Sequence, residues 1–356
     1  MTKPCLVCEN PIEAFVDYGR MPIANGFLTK EDAPKEYFFR LHVGYCPKCH
    51  MVQLLEQPAR EQMFHENYAF FSGTSKSMAV HFAGFAEHAL KDFIDSSDPF
   101  VVEMGSNDGI MLQNFAAKKI RHLGIEPSAN VAKVAMERGI RTVNEFFDEA
   151  LARKIVAENG QADALLAANV TCHIPYIHSI AAGAAILLKP KGVMMFEDPY
   201  LGDIIEKTSY DQIYDEHVFL FSLHSVSSAF GRHGLEVIDV EPQPTHGGSM
   251  RYILAHKGAR PVSPRVAALR DKELALGLTK AETFDRFRKN CEKSRDELKA
   301  LLERFKKEGK RVVGYAATSK STTVTNYCGI TPTSSSSSPT PRPSSRASSA
   351  RASTSR

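Results

Sequence analysis

Between Pro99 and about Lys257, short apolar runs alternate with amphipathic segments. This alternation restricts the fold most. An apolar run bounded by turns suits a buried parallel strand, and an amphipathic segment suits a helix laid over the sheet. The first unit reads FVVEMGSNDGIMLQNFAAKK: an apolar run from Phe100 to Met104 broken by Glu103, a turn bracketed by Gly105 and Gly109 that encloses Asn107 and Asp108, then a helical segment. The glycines do not fall in the G-x-G-x-x-G frame of dinucleotide sites, and no lysine completes a phosphate-cradling loop. About twenty residues on, Glu126 ends a second run, where an acid can accept hydrogen bonds from ribose hydroxyls. ADALLAANVTCHIPY adds a strand ending at Asn169, and AILLKPKGVMMFEDPY adds a helix end, a turn and another strand. SSAFGRHGLEVIDVEPQPTHGGSMRYILAHK closes the series with a helix and an antiparallel pair. Any one glycine turn is common to doubly wound sheets; the order of the pieces is what informs.

Four of the seven cysteines precede Leu55, as CLVC (Cys5, Cys8) and CPKC (Cys46, Cys49). Each knuckle presents two thiolates from one tight turn, and two knuckles complete a tetrahedral shell for zinc. Unrelated pairs or disulfides are the alternatives. Disulfides need an oxidising compartment, whereas the polar start MTKPCLVCEN is no signal peptide and no apolar run approaches the roughly 20 residues of a membrane span. The expectation is a cytoplasmic chain with structural zinc, since four cysteines leave no position for water. His50 is a weaker rival ligand. Cys172, Cys291 and Cys328 are expected as buried free thiols.

Net charge is +3, but Ser334–Arg356 holds four arginines and no acid, so the rest stands at −1. A body that close to neutral gives no electrostatic case for nucleic-acid or membrane binding. Composition divides the chain into a zinc-binding unit (1–55), a helical connection (56–98), a Rossmann-like α/β domain (99–257), a charged helix from Val266 to Lys307 followed by the strand-like run RVVGYAAT (together within 266–333), and a Ser/Arg/Pro tail (334–356). The tail has no aliphatic larger than alanine and is expected to be disordered.

YDQIYDEHVFLFS sets Tyr214, Asp215, Glu216 and His217 side by side before an apolar run. Such a cluster is either a solvated helix face or a general base with its support. Likewise THGGSMR is either a hairpin turn, since Gly247 and Gly248 permit positive φ, or a substrate loop. His65, His81 and His88 read as ordinary satisfied polar residues.

In one order, the zinc knuckles, YGRMPIANGFL, MFHENYAFFSG, EMGSNDGIML, ANVTCHIPY, IYDEHVFLFS and HGGSMRYILA resemble the S-adenosylmethionine-dependent sugar C-methyltransferases that act on nucleotide-linked keto-deoxysugars. The resemblance runs from about Cys5 to Ile330. It implies a zinc domain, a Rossmann-like domain holding S-adenosylmethionine, and a second α/β domain that helps hold the nucleotide sugar. It implies a cofactor site with Glu103, Gly105, Asn107, Asp108, Gly109, Glu126 and Asn169. It places Tyr214, Glu216, His217, His173 and Tyr68 at the reaction centre, with His217 as base, and makes His246, Ser249 and Arg251 candidates for sugar or diphosphate contact. An O- or N-methyltransferase and a non-catalytic zinc-bearing remnant are the alternatives, and a monomer is expected. VVGYAATSKSTTVTNYCGI keeps Gly314 and Lys320 of the family's C-terminal glycine-rich turn but not its other small positions, and the remainder of that domain is expected to be missing after Ile330.

Overall fold

The computed structural model describes residues 2–29, 31–64, 68–315 and 318–331; the tail and His65 lie outside them. A short antiparallel pair, β1 (Lys3–Pro4) and β2 (Pro11–Ile12), flanks the turn that carries Cys5 and Cys8. Three longer antiparallel strands follow: β3 (Ala14–Pro22), β4 (Phe38–Tyr45) and β5 (Val52–Leu54). Helices at Arg60–Met63 and Lys76–Asp92 then lead to the main sheet.

That sheet confirms the alternation. Its strands are β6 (Phe100–Met104), β7 (Arg121–Ile125), β8 (Thr142–Val143), β9 (Ala162–Ala168) and β10 (Leu188–Pro199); β11 (Phe219–Leu220) leaves it, and β12 (Leu235–Gln243) and β13 (Ser249–His256) return. The order is β12-β13-β10-β9-β6-β7-β8, with β6 to β10 parallel and β13 antiparallel to both β10 and β12. The chain winds outward from β6 through β7 to β8, then crosses to β9 on the other side of β6. Ligands of open α/β sheets bind in the crevice at such a reversal, beyond the carboxyl ends of the strands. Gly105, Glu126 and Asn169 sit at those ends. β6 is buried along its whole length, Glu103 included, as a strand covered on both faces should be.

β11 belongs instead to the first sheet, whose order is β11-β5-β4-β3. The stretch after His217 is therefore hydrogen-bonded into the N-terminal unit that carries the four cysteines.

The C-terminal part departs from expectation in two ways. The single helix over Val266–Lys307 is two, Pro264–Leu276 and Ala281–Lys307, divided where Gly277 takes a left-handed φ of +74°. RVVGYAAT forms no strand over Arg311–Tyr315, and residues 316–317 are outside the described set. A strand needs a ladder neighbour, and here Val313 and Tyr315 stand exposed. The helices themselves cover the first sheet. Phe284, Phe287 and Cys291 are buried in one cluster with Tyr18 and Tyr45, and the Phe284 and Tyr45 rings stack at 4.3 Å. Ser319–Tyr327 packs on β3, with Tyr327 edge-on to Tyr18 at 4.9 Å, and Thr323 Oγ1 donates to the Ile213 carbonyl at 2.6 Å. No described helix is long and apolar enough to cross a membrane.

Candidate active site and metal centre

The four N-terminal cysteine sulfurs converge. Cys5 and Cys49 lie 3.4 Å apart, as do Cys8 and Cys46, and all four fall within 4.8 Å of one another. Zinc–sulfur bonds of about 2.3 Å in a tetrahedron hold sulfurs about 3.8 Å apart, so the set fits a Cys₄ zinc with no open vertex. His50 is not part of it: its Nδ1 pairs with the Tyr45 hydroxyl at 2.8 Å.

A cavity of about 440 Å³ opens at the crossover of the main sheet and runs to the Tyr214–His217 stretch. At its cofactor end Gly105 has φ +67°, and a Cβ there would lie 2.3 Å from Val170 Cγ2, so only glycine fits. Glu126 accepts from the Asn107 amide at 3.0 Å and the Ser128 amide at 2.8 Å, which aims it into the cavity wall. Burial raises its carboxyl pKa. Asn107 also lines the wall, but its side chain is spent on the Ser72 amide (2.9 Å) and the Phe70 carbonyl (3.2 Å). Asn169, at φ +55°, completes this end.

Three expected cofactor residues are not in the wall. Asp108 accepts from the Gly73 amide at 3.0 Å and pairs with Arg138 at 3.0 Å, pinning the turn to the segment before the long helix. Gly109, at φ +81°, packs on Ile140. Glu103 is buried with Oε2 unpartnered, and burial, then Glu126 and Asp108, push its carboxyl pKa well up.

The Tyr214–His217 stretch is no wet helix. A turn at Tyr210–Gln212 leads into a fully buried loop, with Asp215 1% and Glu216 3% exposed. Two anchors hold it. β11 pairs with β5, and the Leu54 amide donates to the Val218 carbonyl at 2.8 Å. The loop after β3 closes from the other side: the Ala24 amide donates to Asp215 Oδ1 at 3.0 Å and Asn25 Nδ2 to Glu216 Oε1 at 2.7 Å. His217 Nδ1 lies 2.6 Å from the Gln212 carbonyl. A carbonyl only accepts, so Nδ1 carries the proton and Nε2 keeps its lone pair.

The His217 ring stacks on His173 at 5.3 Å and touches Tyr214 at 4.2 Å. Burial, then the neighbouring His173, holds the His217 pKa well below its ordinary value, and burial takes His173 down to about 3. Burial and then Asp215 raise Glu216 to about 8, opposed by hydrogen bonds from Asn25 and Tyr68; burial raises Asp215 to about 7. The site therefore offers a neutral imidazole with a free lone pair beside a carboxyl that holds its proton more tightly than an ordinary glutamate. Tyr68 and Tyr214 keep their protons, their pKa values raised well above the ordinary range chiefly by burial.

Of the substrate-side candidates, only His246 lines the cavity. Ser249 Oγ donates to the Thr245 carbonyl at 3.1 Å. Arg251 is buried and committed: Nε donates to Glu197 Oε1 at 2.8 Å, a second nitrogen reaches the same oxygen, another reaches Glu241 at 3.1 Å, and Phe85 lies under the guanidinium at 4.0 Å. These pairings hold its guanidinium within the sheet, and it is not among the residues that line the cavity. His81 pairs with Glu197 at 2.6 Å, and His88 with Asp92 at 2.7 Å and, across its other nitrogen, with Glu241 at 3.0 Å. Asn25 and Gln212, which position Glu216 and His217, were missed, although Asn25 lies inside YGRMPIANGFL. Also missed was Arg60, stacked between Phe146 (4.2 Å) and Tyr176 (5.1 Å) in the cavity wall; isolated aromatics at such separations leave no local pattern.

The four-cysteine unit, the sheet and the cavity agree with what comparison with known families shows, an S-adenosylmethionine-dependent methyltransferase with a zinc-binding unit. Models described as a zinc binding domain, a methyltransferase domain and a C-methyltransferase C-terminal domain match residues 5–64, 78–240 and 244–335. The C-methyltransferase NovU of Streptomyces niveus is 31% identical over 317 residues, covering 88% of this chain and 75% of that protein. The chain belongs to this C-methyltransferase family. Among solved structures, a Haloferax volcanii methyltransferase in complex with the Trm112 activator overlaps 52% of this chain and 94% of its own at 17% identity (TM-score 0.40). A Synechocystis magnesium protoporphyrin IX methyltransferase with bound S-adenosylmethionine overlaps 51% and 79% at 11% identity (TM-score 0.37).

Proposed function

We propose that this methyltransferase acts on carbon α to the ketone of a nucleotide-linked keto-deoxysugar, with His217 as the general base. One observation carries the reading: the Gln212 carbonyl fixes the His217 tautomer so that a buried, neutral Nε2 faces a cavity shared with the cofactor residues. Carbon becomes a nucleophile only when an α proton leaves, and a neutral, oriented imidazole is suited to take it. S-adenosylmethionine supplies the electrophilic methyl group.

The chain's own residues do the rest. His217 Nε2 accepts the α proton. Tyr214 and His173 flank the imidazole, and donors are needed where enolate charge gathers; the protonated Tyr214 hydroxyl and Tyr68–Glu216 pair supply them. His173 Nε2 is buried and unpartnered, free to meet the sugar. Asn25 and Tyr68 hold Glu216 in place. Gly105, Glu126 and Asn169 hold the cofactor's amino-acid and ribose parts, and His246 lies at the sugar end. Asp108 and Gly109 shape the turn, and Arg251 the sheet beneath it.

His217→Asn tests the assignment. Methyl transfer should fall below detection while calorimetry still shows S-adenosylmethionine binding; an active variant overturns His217 as base.

A further inference from the structure

Beside the zinc unit, one other group of described cysteine, histidine and acidic side chains brings its ligand atoms within 4.8 Å of one another: Cys172 and His217, both buried, and His173, half-buried. The Cys₄ cluster meets the same distance limit. The donor types match as well, since sulfur and imidazole are what zinc prefers, and a Cys-His₂ set leaves a fourth position open. Each donor is available. The Gln212 carbonyl occupies His217 Nδ1 and so leaves Nε2; His173 Nε2 has no partner; Cys172 is in no disulfide, and its thiol meets the Asp198 carboxyl, which it would exchange for the metal. Asp198 supports the set from behind, accepting from the Cys172 amide at 3.1 Å and lying against the Cys172 thiol.

We infer that Cys172, His173 and His217 form a second, inhibitory site for zinc or a similar thiophilic divalent cation, distinct from the structural Cys₄ site. Binding replaces the thiol proton with the metal and uses the His217 Nε2 lone pair, the one that takes the α proton in the reaction proposed above. Metal occupancy and base catalysis then exclude each other, and the cation acts as a brake. The inhibitory part rests on the base assignment; the metal site does not.

The test uses the full chain with its structural zinc in place. Metal analysis after dialysis against micromolar zinc should give two zinc ions per wild-type chain and one per Cys172→Ser chain. Cobalt(II) added to wild type that holds only its structural zinc should produce a thiolate-to-metal charge-transfer band that Cys172→Ser lacks. Since Cys172 takes no part in the proposed reaction, the variant should keep its activity and need about tenfold more zinc, or higher, for half-inhibition. Calorimetry with S-adenosylmethionine checks that the variant is folded; should it misfold, the wild-type stoichiometry and cobalt band decide alone. One zinc per wild-type chain with no cobalt band, or a second zinc retained by folded Cys172→Ser, overturns the site. Both readings come without turnover, so they stand or fall apart from the base assignment.

Discussion

Replacing Arg251 with leucine separates a structural role from a substrate contact. Arg251 is 6% exposed, and its guanidinium faces Glu197, which is 1% exposed. Removing one partner of such a buried pair leaves the other charge uncompensated, at a cost of about 3–5 kcal/mol. His81 Nε2 remains 2.6 Å from the second Glu197 oxygen, and Glu241 can turn toward water. Both put the expected loss near the lower end, about 3 kcal/mol, while leucine keeps some of the packing on Phe85. For a domain of this size that is a Tm lower by roughly 10 °C. Thermal and urea unfolding followed by circular dichroism measure it, and the KM for the proposed nucleotide-sugar substrate should stay within about twofold, a change of less than 0.5 kcal/mol. Adding Glu197→Gln to the leucine variant should recover part of the loss, because the orphaned charge is then gone. An Arg251→Leu protein as stable as wild type but with KM raised tenfold or more would refute the reasoning and return Arg251 to the substrate.

Further outcomes follow from the same geometry. Burial and Asp215 lift Glu216 from its ordinary 4.5 to about 8, so the folded state holds a proton that the unfolded chain has lost. Compared with Glu216→Gln, wild-type stability should therefore decline as pH rises from about 4.5 to about 8 and level off outside that window, as read by urea unfolding across pH. Zinc removal by a strong chelator should loosen the first sheet and, with it, the Ala24 and Asn25 contacts to Asp215 and Glu216; transfer should be lost together with a cooperative unfolding step, and zinc should restore both. Asn25→Ala removes a hydrogen bond to a buried carboxyl and should push the Glu216 pKa further up, by about one unit for each 1.4 kcal/mol lost, seen as an alkaline shift in the Glu216-dependent stability profile.

The main sheet was legible because each parallel strand is a local apolar run closed by a turn, and Gly105, Glu126 and Asn169 could be placed at strand ends without long-range contacts. The four zinc ligands were legible from spacing alone. The Tyr214–His217 loop was ambiguous because its burial depends on β11 pairing with β5, about 165 residues earlier in the chain, and on Asn25 reaching across; local periodicity records neither. For Asp108 and Arg251 the sequence left out one thing: a motif shows which residue type stands at a position, not whether a neighbour such as Arg138 or Glu197 pairs with it. RVVGYAAT has strand propensity, but propensity without a ladder partner makes no strand.

Proton loss from the acceptor carbon tests the central claim most directly. A nucleotide-linked keto-deoxysugar carrying deuterium α to its ketone is to be methylated by the wild-type chain with S-adenosylmethionine, and the product examined by mass spectrometry and NMR. Base-catalysed C-methylation predicts one deuterium released per methyl group gained, with His217→Asn releasing none. A methylated product that keeps its full deuterium content would show that the methyl group went to oxygen or nitrogen and would contradict the account.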